Sequence, residues 1–129
     1  MRDRVNQIII DRRLCSYMND TKWRELQAAV EELPFPPPYK VKWLDDESAP
    51  GNFDEDVSYL GDWSDEAFCR WGNYFLIEWI QVRPRRLIHR GRLVAPEVED
   101  ESAEFEAILL RHNIPFEKDG AVYIIWGYK

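Results

Sequence analysis

The segment Tyr74 to Val82 carries apolar side chains on both faces of an extended chain, and it constrains the fold more than any other stretch. Phe75, Ile77 and Trp79 fall on one face, and Tyr74, Leu76, Ile80 and Val82 on the other. A strand apolar on both sides belongs in the middle of a sheet that is covered twice. Pro84 ends it, because proline has no N–H to give to a ladder. Glu78 interrupts the second face. If that face is buried, the carboxylate needs a partner, since an unpaired buried charge is costly. Arg83, Arg85 and Arg86, just beyond the strand, are the obvious partners. The alternatives are a solvent-exposed Glu78 and a catalytic one.

The elements around this strand are shorter but well marked. Trp23, Leu26, Val30 and Leu33 recur at spacings of three and four, which predicts a helix from Thr21 to Leu33 with Asn19, Asp20 or Thr21 as its cap. Pro34 and Pro36-Pro37-Pro38 stop it. That helix-stop role accounts for the proline run, although Pro36-Pro37-Pro38-Tyr39 also matches a short motif read by polyproline-binding modules. Tyr39, Val41 and Trp43 alternate with Lys40 and Lys42, as in a half-buried strand with its lysines outward. Val57 to Leu60 reads as a short strand closed at Gly61-Asp62. Phe105, Ile108 and Leu109 give the buried face of a helix over Ser102 to His112. Lys118-Asp119-Gly120 between apolar runs marks a C-terminal hairpin. The expected fold is α+β, a mostly antiparallel sheet of about four strands with two or three helices packed on it.

Charge along the chain comes in blocks. Residues 45–66 hold nine acids and no lysine or arginine. Residues 83–92 hold five arginines and no acid, and the sign flips again at Glu97, Glu99, Asp100, Glu101, Glu104 and Glu106. The first 17 residues carry +2 against −7 for the whole chain, so residues 18–129 carry −9. Met18-Asn19-Asp20-Thr21 reads as a protein start. Residues 1–17 are then an extension and 18–129 a single domain. The competing reading is a true N-terminal helix with Val5, Ile8, Ile9 and Arg12 on one face.

At 129 residues the chain fits one domain with a single core. No stretch approaches the roughly 20 apolar residues of a spanning helix, and no secretory h-region is visible. The expected setting is therefore cytoplasmic, with Cys15 and Cys69 reduced. Cofactors and metals have no positive signal: the glycines stand alone, and Cys15 and Cys69 have no zinc spacing. His89 and His112 lack the companions of a nucleophilic site. A nucleic-acid partner is disfavoured by the acidic pI of about 4.9.

Further residues carry a family likeness: Thr21-Lys22-Trp23-Arg24-Glu25-Leu26, Gly61-Asp62-Trp63-Ser64, Ile77-Glu78-Trp79-Ile80, Arg83-Pro84-Arg85, and Ile114-Pro115-Phe116 through Trp126-Gly127-Tyr128. With these, Met18 to Lys129 resembles an uncharacterised bacterial family of short acidic proteins, a domain of unknown function. The resemblance implies a bacterial cytoplasmic protein and supplies no catalytic residues. From the residues themselves, the expected role is non-enzymatic: binding of a basic protein, as an immunity or inhibitor protein binds a toxin. Asp54, Glu55, Asp56, Asp62, Tyr59 and Trp63 are the candidate contacts, in an acidic stretch whose interleaved aromatics are Phe53, Tyr59 and Trp63. The alternatives are a small enzyme built around Glu78 and the arginines, and a homodimeric housekeeping subunit.

Overall fold

The computed structural model describes residues 2–129. In chain order the elements are α1 (Arg2–Asp11), α2 (Asp20–Ala29), β1 (Tyr39–Trp43), α3 (Asp65–Cys69), β2 (Ile77–Val82), β3 (Arg85–Ile88), β4 (Glu97–Asp100), α4 (Ser102–Arg111), β5 (Glu117–Asp119) and β6 (Val122–Trp126). Four strands form an antiparallel sheet in the order β1-β2-β6-β5, and β3 with β4 forms a separate two-stranded ribbon. The fold is α+β, with the expected C-terminal hairpin at β5–β6.

Helix α2 begins where Asn19 Oδ1 accepts a hydrogen bond from the Lys22 amide at 2.8 Å, and a single 3₁₀ turn, Val30–Glu32, carries it toward the prolines. Trp23, Leu26 and Ala29 of α2 meet Phe68 of α3, Phe105, Ile108 and Leu109 of α4, and the sheet residues Ile77, Ile80, Val82, Tyr123 and Ile125. Phe68 is fully buried with Trp63, Tyr39, Tyr74 and Trp23 around its ring at centroid distances of 4.8–6.5 Å. Burying a ring of that size contributes about 2–3 kcal/mol.

The central strand differs from its expected form. Tyr74–Leu76 is a 3₁₀ turn, and the strand proper starts at Ile77. Trp43 pairs with Ile77 while Lys42 pairs with Trp79, so Glu78 is an extra residue on β2. This bulge puts Ile77 and Ile80 on the same core face, three positions apart, which strict alternation forbids. The freed Glu78 carbonyl accepts from the amides of Gly127 and Tyr128 at 2.7 and 3.0 Å. Gly127 is required there: a Cβ would lie 2.2 Å from the Ile77 carbonyl oxygen.

Helix α1 packs on a second, smaller core. Val5 is buried against Leu44 and Leu76, with Ile8, Ile9, Leu14, Phe75 and Tyr128 around them. Cys15 exchanges backbone hydrogen bonds with Lys129, which ties the chain after α1 to the C-terminus. Val57 to Leu60 is irregular rather than a strand, making only an isolated parallel bridge from Val57 to Arg86. The expected basic loop contains strand β3, whose Arg85 and Arg86 face Asp100 and Glu99 of β4. Cys15 is exposed, Cys69 is buried, and both are free thiols.

Candidate functional site

The bulge that redirects β2 also decides the surroundings of Glu78. Its carboxylate is 5% exposed, and the bidentate partner is Arg12, at 2.7 and 2.9 Å. Lys42, expected to point outward, is instead buried, because it donates to the same carboxylate at 3.1 Å and to the Trp43 carbonyl at 2.6 Å. Burial pushes the Glu78 carboxyl upward, but the hydrogen bonds from Arg12 and Lys42 outweigh it and hold the group below its ordinary value. The expected partners are thereby corrected. Arg83, Arg85 and Arg86 do not reach Glu78, because the bulge turns its side chain toward α1 and β1.

Those arginines are engaged elsewhere. Arg83 Nε and Arg85 Nε both donate to Asp56 Oδ1, at 2.8 and 3.0 Å, and Arg85 Nη2 reaches Asp56 Oδ2 at 3.1 Å. Burial raises the Asp56 carboxyl, and the two guanidinium groups more than reverse it. Arg85 also meets Asp100, Arg86 meets Glu99, and Arg90 meets Glu97. Four of the five arginines thus meet acids of β4 or Asp56, while Arg92 is exposed and forms no salt bridge among the described residues.

That stretch divides cleanly. Asp45 and Asp56 are half-buried and paired, Asp45 with Arg70 at 3.1 Å. Asp46, Glu47, Asp54, Glu55, Asp62, Asp65 and Glu66 are exposed and form no salt bridge among the described residues. Phe53 and Trp63 are not surface anchors: both are buried, and the Trp63 indole N–H donates to the Pro37 carbonyl at 2.9 Å. Tyr59 is 52% exposed and stays available for contact. Asp62 accepts from the Ser64 amide at 3.0 Å, and the Ser64 side chain together with that N–H lowers its carboxyl.

Two further features were not anticipated. After α3 the chain passes through Arg70, Trp71 and Gly72 at φ values of 46°, 63° and 89°, three successive left-handed residues. A bulky residue rarely adopts that conformation. The turn is fastened by hydrogen bonds from the Trp71 amide to the Asp65 carbonyl and from the Asn73 amide to the Cys69 carbonyl, at 2.9 and 2.7 Å. It presents Trp71 at 73% exposure on the rim of a groove of about 700 Å³ between α2 and α3. Gly72 is the sequence signal for this turn, since a glycine closely following a short helix marks a left-handed ending.

The second feature is Glu101, 1% exposed at the start of α4. Its Oε1 accepts from the Phe35 amide at 3.2 Å, and its Oε2 has no partner among the described residues. Burial pushes this carboxyl up to about 7, with Glu104 and Glu99 adding to the rise.

Among the described residues, no group of three or more histidines, cysteines or acids is arranged to hold a metal ion, and no helix is long and apolar enough to cross a membrane. A family model described as a family of unknown function, DUF6678, matches residues 5–129, and so takes in most of α1 as well as the segment from Met18 onward. No curated protein and no solved structure matches the chain.

Proposed function

The chain belongs to this family of unknown function, and from that premise we propose that it is a non-enzymatic protein-binding module that captures a basic partner, as an immunity or inhibitor protein does. On this reading its setting is the bacterial cytoplasm. The observation that carries the proposal is the split in its charge. The arginines Arg83, Arg85, Arg86 and Arg90 are occupied by acids of the same chain, while seven acids between 46 and 66 are exposed and form no salt bridge among the described residues. An outward field of one sign speeds encounter with an opposite partner and disfavours like-charged ones. Asp54, Glu55 and Asp62, with Tyr59 beside them, remain candidate contacts, whereas Asp56 and Trp63 serve the fold.

The alternative reading is a small enzyme with a site around Glu78 and the arginine block. It required Glu78 and the arginines of 83–92 to converge, and they engage different partners. A carboxylate held ionised by Arg12 and Lys42 is also poorly suited to take up a proton near neutrality.

The test is capture from extract of the source organism on immobilised protein, followed by affinity measurement with the purified captured protein. The expected result is a basic protein whose affinity falls at least tenfold between about 50 and 300 mM salt, and falls further with Asp54→Lys and Glu55→Lys combined. Salt-insensitive binding, or binding unaffected by that double reversal, sinks the proposal.

A further inference from the structure

Aromatic rings in this protein are repeatedly covered by cations. Arg70 lies 4.1 Å from the Trp43 ring centroid while its Nη1 holds Asp45, so an indole and a carboxylate share one guanidinium. Arg86 lies over Phe35 while bonded to Glu99, and Lys118 lies over Tyr123 while paired with Glu106. Trp71 has the same kind of surroundings without the cation. It shares its groove with Asp65 and Glu31, both exposed, and among the described residues no arginine or lysine covers its ring. Arg24, which also lines the groove, is laid over Tyr74 at 5.6 Å.

The floor of the groove is polar and organised. Tyr74 Oη donates to Gln27 Oε1 at 2.6 Å, and Gln27 Nε2 donates to the Trp63 carbonyl and to Asp65 Oδ1 at 2.8 and 2.9 Å. Asp65 is thus positioned by Gln27 while its second oxygen stays open to a donor. Burial raises the Tyr74 hydroxyl to about 12, so it stays protonated and keeps this network in place at neutral pH. The left-handed turn places the Trp71 backbone at the rim of the groove, where its ring is 73% exposed.

We propose that the groove between α2 and α3 is the anchor site for an arginine side chain of the basic partner. The guanidinium stacks on Trp71 and is hydrogen-bonded by the carboxylates of Asp65 and Glu31, repeating between molecules the arrangement of Trp43, Asp45 and Arg70. Arginine is preferred over lysine because a planar fork stacks on an indole and meets a carboxylate with two N–H groups at once. This assignment rests on the reading of the protein as a binder of basic partners, and names the site at which that binding is specific rather than merely electrostatic.

The experiment uses the intact protein labelled with ¹⁵N, titrated with hexa-arginine amide, hexa-lysine amide and hexa-glutamate while the indole N–H resonances are recorded. Trp71→Asn removes the ring but suits the left-handed backbone, so it assigns the Trp71 signal and preserves the fold. The expected result is saturable movement of the Trp71 signal by hexa-arginine, at least about fivefold tighter than hexa-lysine. Trp71→Asn, and separately Glu31→Gln with Asp65→Asn, should each weaken hexa-arginine about tenfold and abolish the preference. Hexa-arginine binding that leaves the Trp71 signal unmoved overturns the anchor site but not the acidic-surface reading. No binding of either cationic peptide, or equal binding of hexa-glutamate, overturns both.

Discussion

Residues 83–92 and residues 45–66 look like mirror images in the sequence, one block of positive charge and one of negative, yet the fold treats them in opposite ways. The arginines lie on and beside a two-stranded ribbon whose other strand is acidic, and Arg83 and Arg85 are drawn together on Asp56. The acids lie on a long irregular segment and a five-residue helix, and among the described residues only Asp45 and Asp56 of this stretch form salt bridges. The difference teaches that a charge block does not indicate a partner until its internal partners have been subtracted. Once they are, the arginine block is an internal brace and the acidic block is the exposed field.

The largest effect should come from the charges the fold holds inside. Glu78→Gln leaves Lys42 buried without its carboxylate, and should cost about 3 kcal/mol in chemical denaturation at pH 7. Its pH dependence follows from a lowered folded pKa. The stabilisation is complete above the ordinary carboxyl value of 4.5 and disappears as the pH falls through the lower folded value. The wild type should therefore lose more stability than Glu78→Gln on acidification below pH 4.5. A loss under 1 kcal/mol at pH 7 would mean that the bulge does not depend on this cluster.

Arg83→Ala should cost about 2 kcal/mol, because Asp56 is half-buried and would keep only Arg85. A double-mutant cycle with Asp56→Asn should show coupling above 1 kcal/mol. Additivity within error would break the claim that this block is a brace.

Glu101 supplies a contrast in sign. Its folded pKa is raised to about 7, so its favourable contribution is full below 4.5 and is lost as the pH rises through 7. Glu101→Gln should stabilise the protein by about 1–2 kcal/mol at pH 8 and by nothing measurable at pH 4. An equal effect at both values would show that ionisation is not the cause. The smallest effect belongs to the open surface: Asp54→Asn with Glu55→Gln should shift stability by less than about 0.5 kcal/mol. A larger loss would show that these acids have structural partners.

The parts of the fold legible in the sequence are those encoded over a few residues. The α2 and α4 stripes and the C-terminal hairpin form close to where their local patterns stand, and β1 forms as a strand although its Lys42 is buried on Glu78 rather than outward. The bulge at Glu78 is not local. It is made by the pairing of β1 with β2 and by the close approach of Gly127, and no spacing within 74–82 reports it. The Arg12–Glu78 pair spans 66 positions, so a search among neighbouring arginines could not find it. The ribbon β3–β4 lacks clean alternation, because its two strands are matched by opposite charge as much as by apolar contact. Of the candidate contacts, Asp54, Glu55, Asp62 and Tyr59 are on the surface. Asp56 and Trp63 are not, since side chains of the same types are equally suited to a half-buried ion pair and an aromatic core. Trp71 was hidden because a lone tryptophan beside a glycine carries no periodicity.

The central claim is that the acids of 46–66 face a partner while Arg83, Arg85 and Arg86 face the protein itself. Carboxylate and arginine footprinting, read by mass spectrometry with and without the captured partner, tests it most directly. Without the partner, Asp54, Glu55, Asp62 and Glu66 should label rapidly, with Asp56, Glu78, Arg83 and Arg85 slow. On adding it, protection should fall on 46–66 and leave Arg90 and Arg92 as reactive as before. Protection of the arginines, with the acids still labelling freely, would contradict the account.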